Sequence, residues 1–206
     1  GQPFADSSAV PTYYLAEFAR EHVTVALNGD GGDESFLGYP RYAGAMLGNR
    51  FDVIPKPLRR VLGALGRNLP LESSGVRPLR YLRRFLAVAD ASDVDRYGSW
   101  ITFFSEDQKS GLYAGEFREH LRERPLGEVE GWFAGDAPVA ARAAWADIHS
   151  YLPDDLLIKV DVATMAHGLE ARSPFLDHHL IEFAASIHAS QKISMTRTKK
   201  LLKSAM

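Results

Sequence analysis

The run Val23-Thr-Val-Ala-Leu27, followed at once by Asn28-Gly-Asp-Gly-Gly-Asp-Glu34, constrains this chain more than any other stretch. Three of the first five residues are β-branched, so the run reads as a short strand buried on both faces, as in a parallel sheet. The glycines that follow permit a tight turn. "SFLGYPRYAGAML" then reads as helix interrupted at Pro40. A strand, a Gly-rich turn and a helix aim backbone N–H groups at an anion. One parallel strand cannot make a sheet alone, so its partners are expected outside this chain.

The loop fits no common phosphate or calcium motif. A dinucleotide fingerprint needs a third glycine where Glu34 stands, and a P-loop needs Gly-Lys-Ser/Thr. An EF-hand needs ligands alternating toward a central glycine and a distal Glu. What remains is a set of backbone donors with Asp30, Asp33 and Glu34. A carboxylate close to a phosphate is repelled by roughly 4 kcal/mol at an effective dielectric near 20. The loop therefore suits a Mg²⁺ that bridges the charges, or a carboxylate that acts on a reacting group; a connector with solvated acids remains the third reading.

The other elements are helical. Ser7 or Ser8 can cap a first helix with Tyr14, Leu15, Phe18 and Ala19 on its inner side. Leu58, Val61, Leu62 and Leu65, and then Leu82, Phe85 and Leu86, keep helical spacing. "NLPLESSGVRP" between them is the stretch most expected to be disordered, and "RPLGEVEGWFAGDAP" reads as a second loop. "DASDVDRYGSWITFFSEDQKSGLYAG" suggests two short helices with Asp and Ser caps, and a longer helix is expected from about Val139 to Tyr151. Pro153 suits a first helical position, with Asp155 and Lys159 paired one turn apart. Ser173 can cap a last helix striped by Leu176, Leu180, Phe183, Ala184 and Ile187.

Composition narrows the function. The 206 residues contain no cysteine, which removes disulfides, thiolate metal sites and thiol nucleophiles and makes a cytoplasmic location the simplest expectation. The net charge of -2 gives no global pull toward nucleic acid or membrane, and no stretch has the length of a membrane span. Arg59, Arg60, Arg80, Arg83 and Arg84 alternate with leucines and read as a solvated helical face. Neither end has the punctuation of a natural terminus, so a piece of a longer protein is expected.

"ALNGDGGDESFLGYPRY" and "YLPDDLLIKVDVATMAHGLEARSPFLDHHLIEFAASI" together closely resemble the synthetase domain of the glutamine-hydrolysing asparagine synthetase family. The opening "PFADSSAVPTYYLAEFAR" and the closing "TKKLLK" are similar to the family as well. The resemblance implies an α/β parent domain of the adenine nucleotide α-hydrolase type. This chain is then a mostly helical portion with one or two short parallel strands. It divides into a nucleotide-site segment (1–50), a helical insert (51–137) and a helical segment with "LEARSPFLD" (138–206). The implied chemistry splits ATP to AMP and pyrophosphate, adenylates the side chain of aspartate, and lets ammonia from an N-terminal glutaminase domain displace AMP.

By the same resemblance, Asn28, Gly29, Gly31 and Gly32 contact ATP, and Asp30 attends the aspartyl-AMP intermediate. Asp33 is a Mg²⁺ ligand, and Lys199 holds pyrophosphate, with Lys200 its competitor. Asp30 could also take a proton from the ammonia-derived nitrogen. Asn28 departs from the family's usual Ser, and neither the Ser-Gly-Gly-x-Asp-Ser loop nor the glutaminase domain is in this chain, so the polypeptide alone is expected to be inactive. Other acceptor carboxylates and a tRNA-modifying ATP-pyrophosphatase are the rival readings; a homodimer is possible, and no nucleic-acid or membrane partner is expected.

For the remaining residues the plain structural roles are favoured. Glu170, Arg172 and Asp177 read as helix-end pairing and capping, His167 as a packed or surface histidine, and Tyr39 and Tyr42 as packing groups. Trp100, Trp132 and Trp145 read as core, and Asp6 and Ser7 as cap residues or pocket lining.

Overall fold

The computed structural model describes residues 6–68, 77–104, 106–120 and 127–206. They form two compact units, one made of the chain up to Tyr39 together with Ala144–Met206, the other of Pro40–Ala143.

The first unit holds α1 (Ala9–Arg20), β1 (Val25–Leu27) and α2 (Gly32–Phe36). The second holds α3 (Pro40–Phe51), α4 (Lys56–Asn68), α5 (Arg77–Ala87), α6 (Asp93–Ile101), α7 (Glu106–Leu112), α8 (Gly115–His120) and α9 (Gly127–Phe133). The division falls within α10 (Val139–His149). Back in the first unit come a π-helical turn (Leu152–Leu157), α11 (Ile158–Met165), β2 (Glu170–Arg172), a 3-10 turn (Pro174–Leu176), α12 (His178–Ser186), α13 (Ala189–Lys192) and α14 (Lys200–Ala205).

The strand after α1 does have a partner inside the chain. β1 pairs in parallel with β2, Val25 opposite Glu170 and Leu27 opposite Arg172, and Asn28 N–H extends the ladder to the Arg172 carbonyl at 2.9 Å. The expected burial on both faces does not hold, since Leu27 is 74% exposed. Two strands of three residues cover too little of each other to bury a side chain.

α1 packs on α11 with a different face from the one its bulky residues suggested. Ala16 is buried and Thr12 and Ala19 half-buried, while Tyr14, Leu15 and Phe18 are 63, 66 and 62% exposed. The i, i+4, i+7 row of small side chains lets the two helices approach closely. Neither Ser7 nor Ser8 caps α1 with its side chain. Ser173 caps nothing either; Asp177 takes that role for α12, accepting from the N–H groups of His179 and Leu180. Phe183 and Trp145 are exposed rather than core. His167 packs edge-on against Tyr13, ring centroids 4.2 Å apart.

In the second unit, Tyr42, Phe85, Tyr97, Val129 and Phe133 form the core. α4 and α5 lie so close that a Cβ on Gly66 would come within 2.5 Å of Leu86 Cβ. Arg96, 1% exposed, binds Asp52 at 3.0 Å, Asp93 at 3.1 Å and the Ala91 carbonyl at 3.0 Å, and Arg59 also reaches Asp52. This network ties α3, α4 and α6 by charges that would be costly to bury singly. Gly127–Phe133, expected as part of a loop, is helix α9: Val129 and Phe133, four residues apart, are both buried. Ser92 caps α6 as a hydroxyl should, accepting from Asp95 N–H. Of the stretch 68–78, expected to be disordered, 69–76 lie outside the described residues, while Asn68 ends α4 and Arg77 and Pro78 open α5.

Candidate functional site

β1 delivers the acidic loop to α2, which packs on α12, α14 and the 3-10 turn, while β2, paired with β1, packs on α11. Gly31 adopts φ +83°, and a Cβ there would sit 2.5 Å from Leu176 Cδ2, so only glycine makes this turn without strain. A Cβ at Gly29, by contrast, meets nothing within 4 Å: the loop has an open side there. α2 spans only five residues. A helix so short contributes little dipole, so positive charge for an anion has to come from a side chain.

Lys199 supplies it. Its Nζ lies 3.0 Å from Asp33 Oδ1, with both side chains partly exposed. Two left-handed residues build this contact. Leu37, fully buried at φ 56°, ends α2 and turns the chain into Gly38; Lys199, at φ 50°, opens α14. The pair closes over Gly38, where a Cβ would fall 1.7 Å from Asp33 Oδ1 and 2.4 Å from Lys199 Cε. Lys200 turns elsewhere and donates to the Ser190 carbonyl at 2.8 Å.

Asn28 and Asp30 stand on the β1 side. Asn28 Nδ2 donates to Asp30 Oδ2 at 2.8 Å, while Asn28 Oδ1 is buried and accepts no hydrogen bond. Ser173 Oγ donates to the Asp30 carbonyl and fixes the loop against the end of β2. Burial pushes the Asp30 carboxyl above its ordinary range, partly offset by the positive field of Lys159.

Lys159 is the residue that sequence reasoning placed wrongly. It does not pair with Asp155. Buried at 7% exposure, it donates to Asp6 Oδ2 at 2.7 Å and Ser8 Oγ at 2.9 Å, joining α11 to the start of α1. Asp155 feels it only through space, and burial with the nearby Asp6 pushes the Asp155 carboxyl up. Asp6 itself is raised by burial but lowered more by its bonds to Lys159 and Ser8, ending below its ordinary range.

Glu34 was noted in the sequence as one of three loop acids. It is 2% exposed, accepts from Tyr39 Oη at 2.8 Å through Oε1, and leaves Oε2 without a partner. Burial pushes its carboxyl up, and Asp147 and Asp33 add to that. Glu170 and Arg172 pair at 2.7 Å on the exposed strand β2. Asp30, Asp33, Asn28, the glycines and Lys199 thus share one corner.

The sequence pattern of the asparagine synthase family matches residues 1–206. The chain belongs to the asparagine synthase family. It is 36% identical, over its whole length, to a Mycobacterium tuberculosis protein assigned by name to the glutamine-hydrolysing asparagine synthetases, of which it covers 30%. To glutamine-hydrolysing asparagine synthetase 1 of Bacillus subtilis it is 32% identical over 98% of the chain, covering 31% of that protein. The chain thus spans under a third of the length of these relatives. No solved structure matches it. No described helix is long and apolar enough to cross a membrane.

Proposed function

We propose that this chain forms the acidic, cation-binding side of the nucleotide site in an enzyme that makes asparagine from aspartate and ATP. The reading rests above all on the Asp33–Lys199 pair, closed over Gly38 at the end of the glycine loop. A carboxylate and an ammonium held side by side, partly exposed, suit a polyanion that brings its own cation: the amine meets phosphate oxygens and the carboxylate meets the cation. The buried free Asn28 Oδ1 offers an acceptor to a nucleotide N–H or O–H group, and the open side of Gly29 leaves it room.

Among the described residues no group of three or more His, Asp or Glu side chains gathers as a complete metal cage. That fits Mg²⁺, which is commonly held by one or two carboxylates, with waters and phosphates filling the other positions. Asp33 would hold it. When bound, the ion would supply charge neutralisation at the phosphates.

In this reading the aspartate side-chain carboxylate attacks the α-phosphorus of ATP and pyrophosphate leaves. Ammonia, from glutamine hydrolysed in another part of the protein, then attacks the acyl carbon and AMP leaves. Lys199 stabilises charge on the departing pyrophosphate. Asp30, in the loop and raised above its ordinary value by burial, accepts the proton shed by the new C–N bond.

The test is pyrophosphate release by the full-length protein with ATP, aspartate and either ammonia or glutamine. Release that depends on aspartate supports the reading; release only with another carboxylate moves the acceptor. MgATP binding left unchanged by Asp33→Ala with Lys199→Ala overturns the site.

A further inference from the structure

The α4–α5 hairpin has an organisation that the synthetase reading does not use. Between Asp52 and Asp90 the sequence holds eight Lys and Arg residues and one carboxylate, Glu72. Neither helix carries an acid. In the described structure Lys56, Arg60, Arg80 and Arg84 are exposed. The apolar side chains are sorted as sharply. Leu58, Val61 and Leu65 form an i, i+3, i+7 row on α4 and are 52, 55 and 57% exposed, while Gly63 and Gly66 occupy the buried side. On α5, Leu79 and Leu82 repeat the pattern, with Tyr81 also exposed.

A solvated helical face does not explain this, because such a face keeps its leucines inside. Nor does a nucleic-acid surface, which needs the cations but gains nothing from a leucine row. A helix with leucines along one face and only cations on the other is built for the boundary between headgroups and acyl chains. The exposed apolar faces of α1 and β1 differ. α1 mixes Glu17 with Arg20 and has no cationic excess, as a protein-covered surface would.

We propose that the α4–α5 hairpin docks on a bilayer surface carrying anionic headgroups. The leucine rows enter the interface and the arginines bind lipid phosphates. This departs from the sequence expectation of no membrane partner, which rested on the lack of a span-length apolar stretch and on a net charge of -2 that averages over a cationic hairpin.

The experiment is co-sedimentation of the full-length protein with vesicles of phosphatidylcholine containing phosphatidylglycerol, against phosphatidylcholine alone. Binding to the anionic vesicles only is expected. The triple variant Arg60→Ser, Arg80→Ser, Arg84→Ser should lose about fivefold per arginine, about a hundredfold together. Leu58→Ser, Val61→Ser, Leu65→Ser should lose binding too, and Arg→Lys at the same three arginines should keep it. Circular dichroism and a thermal melt identify a variant that fails to fold, and the Arg→Lys protein then carries the test against neutral vesicles. The proposal is overturned by equal or no binding to both vesicles. It is also overturned if the serine replacements of the leucine row leave binding intact while RNA competes it away, which marks a polyanion site. Footprinting that finds Leu58, Val61 and Leu65 covered in the lipid-free full-length protein overturns it as well.

Discussion

Lys159 shows how one buried cation organises several acids. It bonds Asp6 and Ser8 and offsets the burial of Asp30. In Lys159→Met, Asp30 keeps its burial and loses the opposing field, so its pKa moves further up; carbon-detected NMR titration of the carboxyl reads this. The same variant leaves Asp6 without its ammonium and costs about 1–3 kcal/mol at neutral pH. Asp6 titrates lower folded than unfolded, so its contribution is complete above the usual aspartate value of about 3.9 and is lost as pH falls through the folded value. The stability gap between wild type and variant should close in that acid window; a gap that stays constant with pH would dismiss the Asp6 pairing as its source.

Glu34 has the opposite sign. Its folded carboxyl is raised, so the folded state holds the proton longer than the unfolded chain, and stability falls as pH rises from about 4.3 through the raised value. Glu34→Gln removes that slope and still accepts from Tyr39. It should be more stable than wild type at pH 7 and equal to it in acid, as urea unfolding at the two pH values would measure.

At the scale of elements, the glycines of the loop separate folding from binding. Gly38→Ala puts a methyl into the Asp33–Lys199 contact and should cost about 2 kcal/mol while parting the pair. Gly29→Ala meets nothing, so its melting temperature should stay near wild type while MgATP binding to the full-length protein weakens. If binding survives Gly29→Ala, the open side of the loop is not where the nucleotide lies. The loop itself was legible because β-branched residues followed by glycines leave few alternatives. β2 was not: Glu-Ala-Arg is too short and too charged to look like a strand, and only its pairing with β1, extended by Thr24 and Asn28, defines it. α9 hid behind Gly127 and Gly131, which suggested a loop although Val129 and Phe133 kept the helical period. Lys159 was assigned to Asp155 because i, i+4 spacing is visible in a sequence, whereas a partner 153 residues away is not.

For the whole molecule, the distribution of exposed apolar surface is more informative than its amount. Tyr14, Leu15 and Phe18 on α1 and Leu27 on β1 form large apolar exposures around a sheet of two short strands. Such a sheet is marginal without further strands or covering helices, and apolar exposure of this kind marks an interaction surface. The relatives matched are more than three times as long as this chain. The chain produced alone should therefore bind a hydrophobic dye and melt with low cooperativity. In the full-length protein, hydroxyl-radical footprinting should find Leu15, Phe18 and Leu27 protected by comparison. The leucine row of α4 should remain reactive there until anionic vesicles are added, since its cationic setting suits lipid rather than protein. Equal protection of both surfaces without lipid would mean that one covering protein layer serves them alike, and that the charge contrast between α1 and α4 has no bearing on what each surface meets.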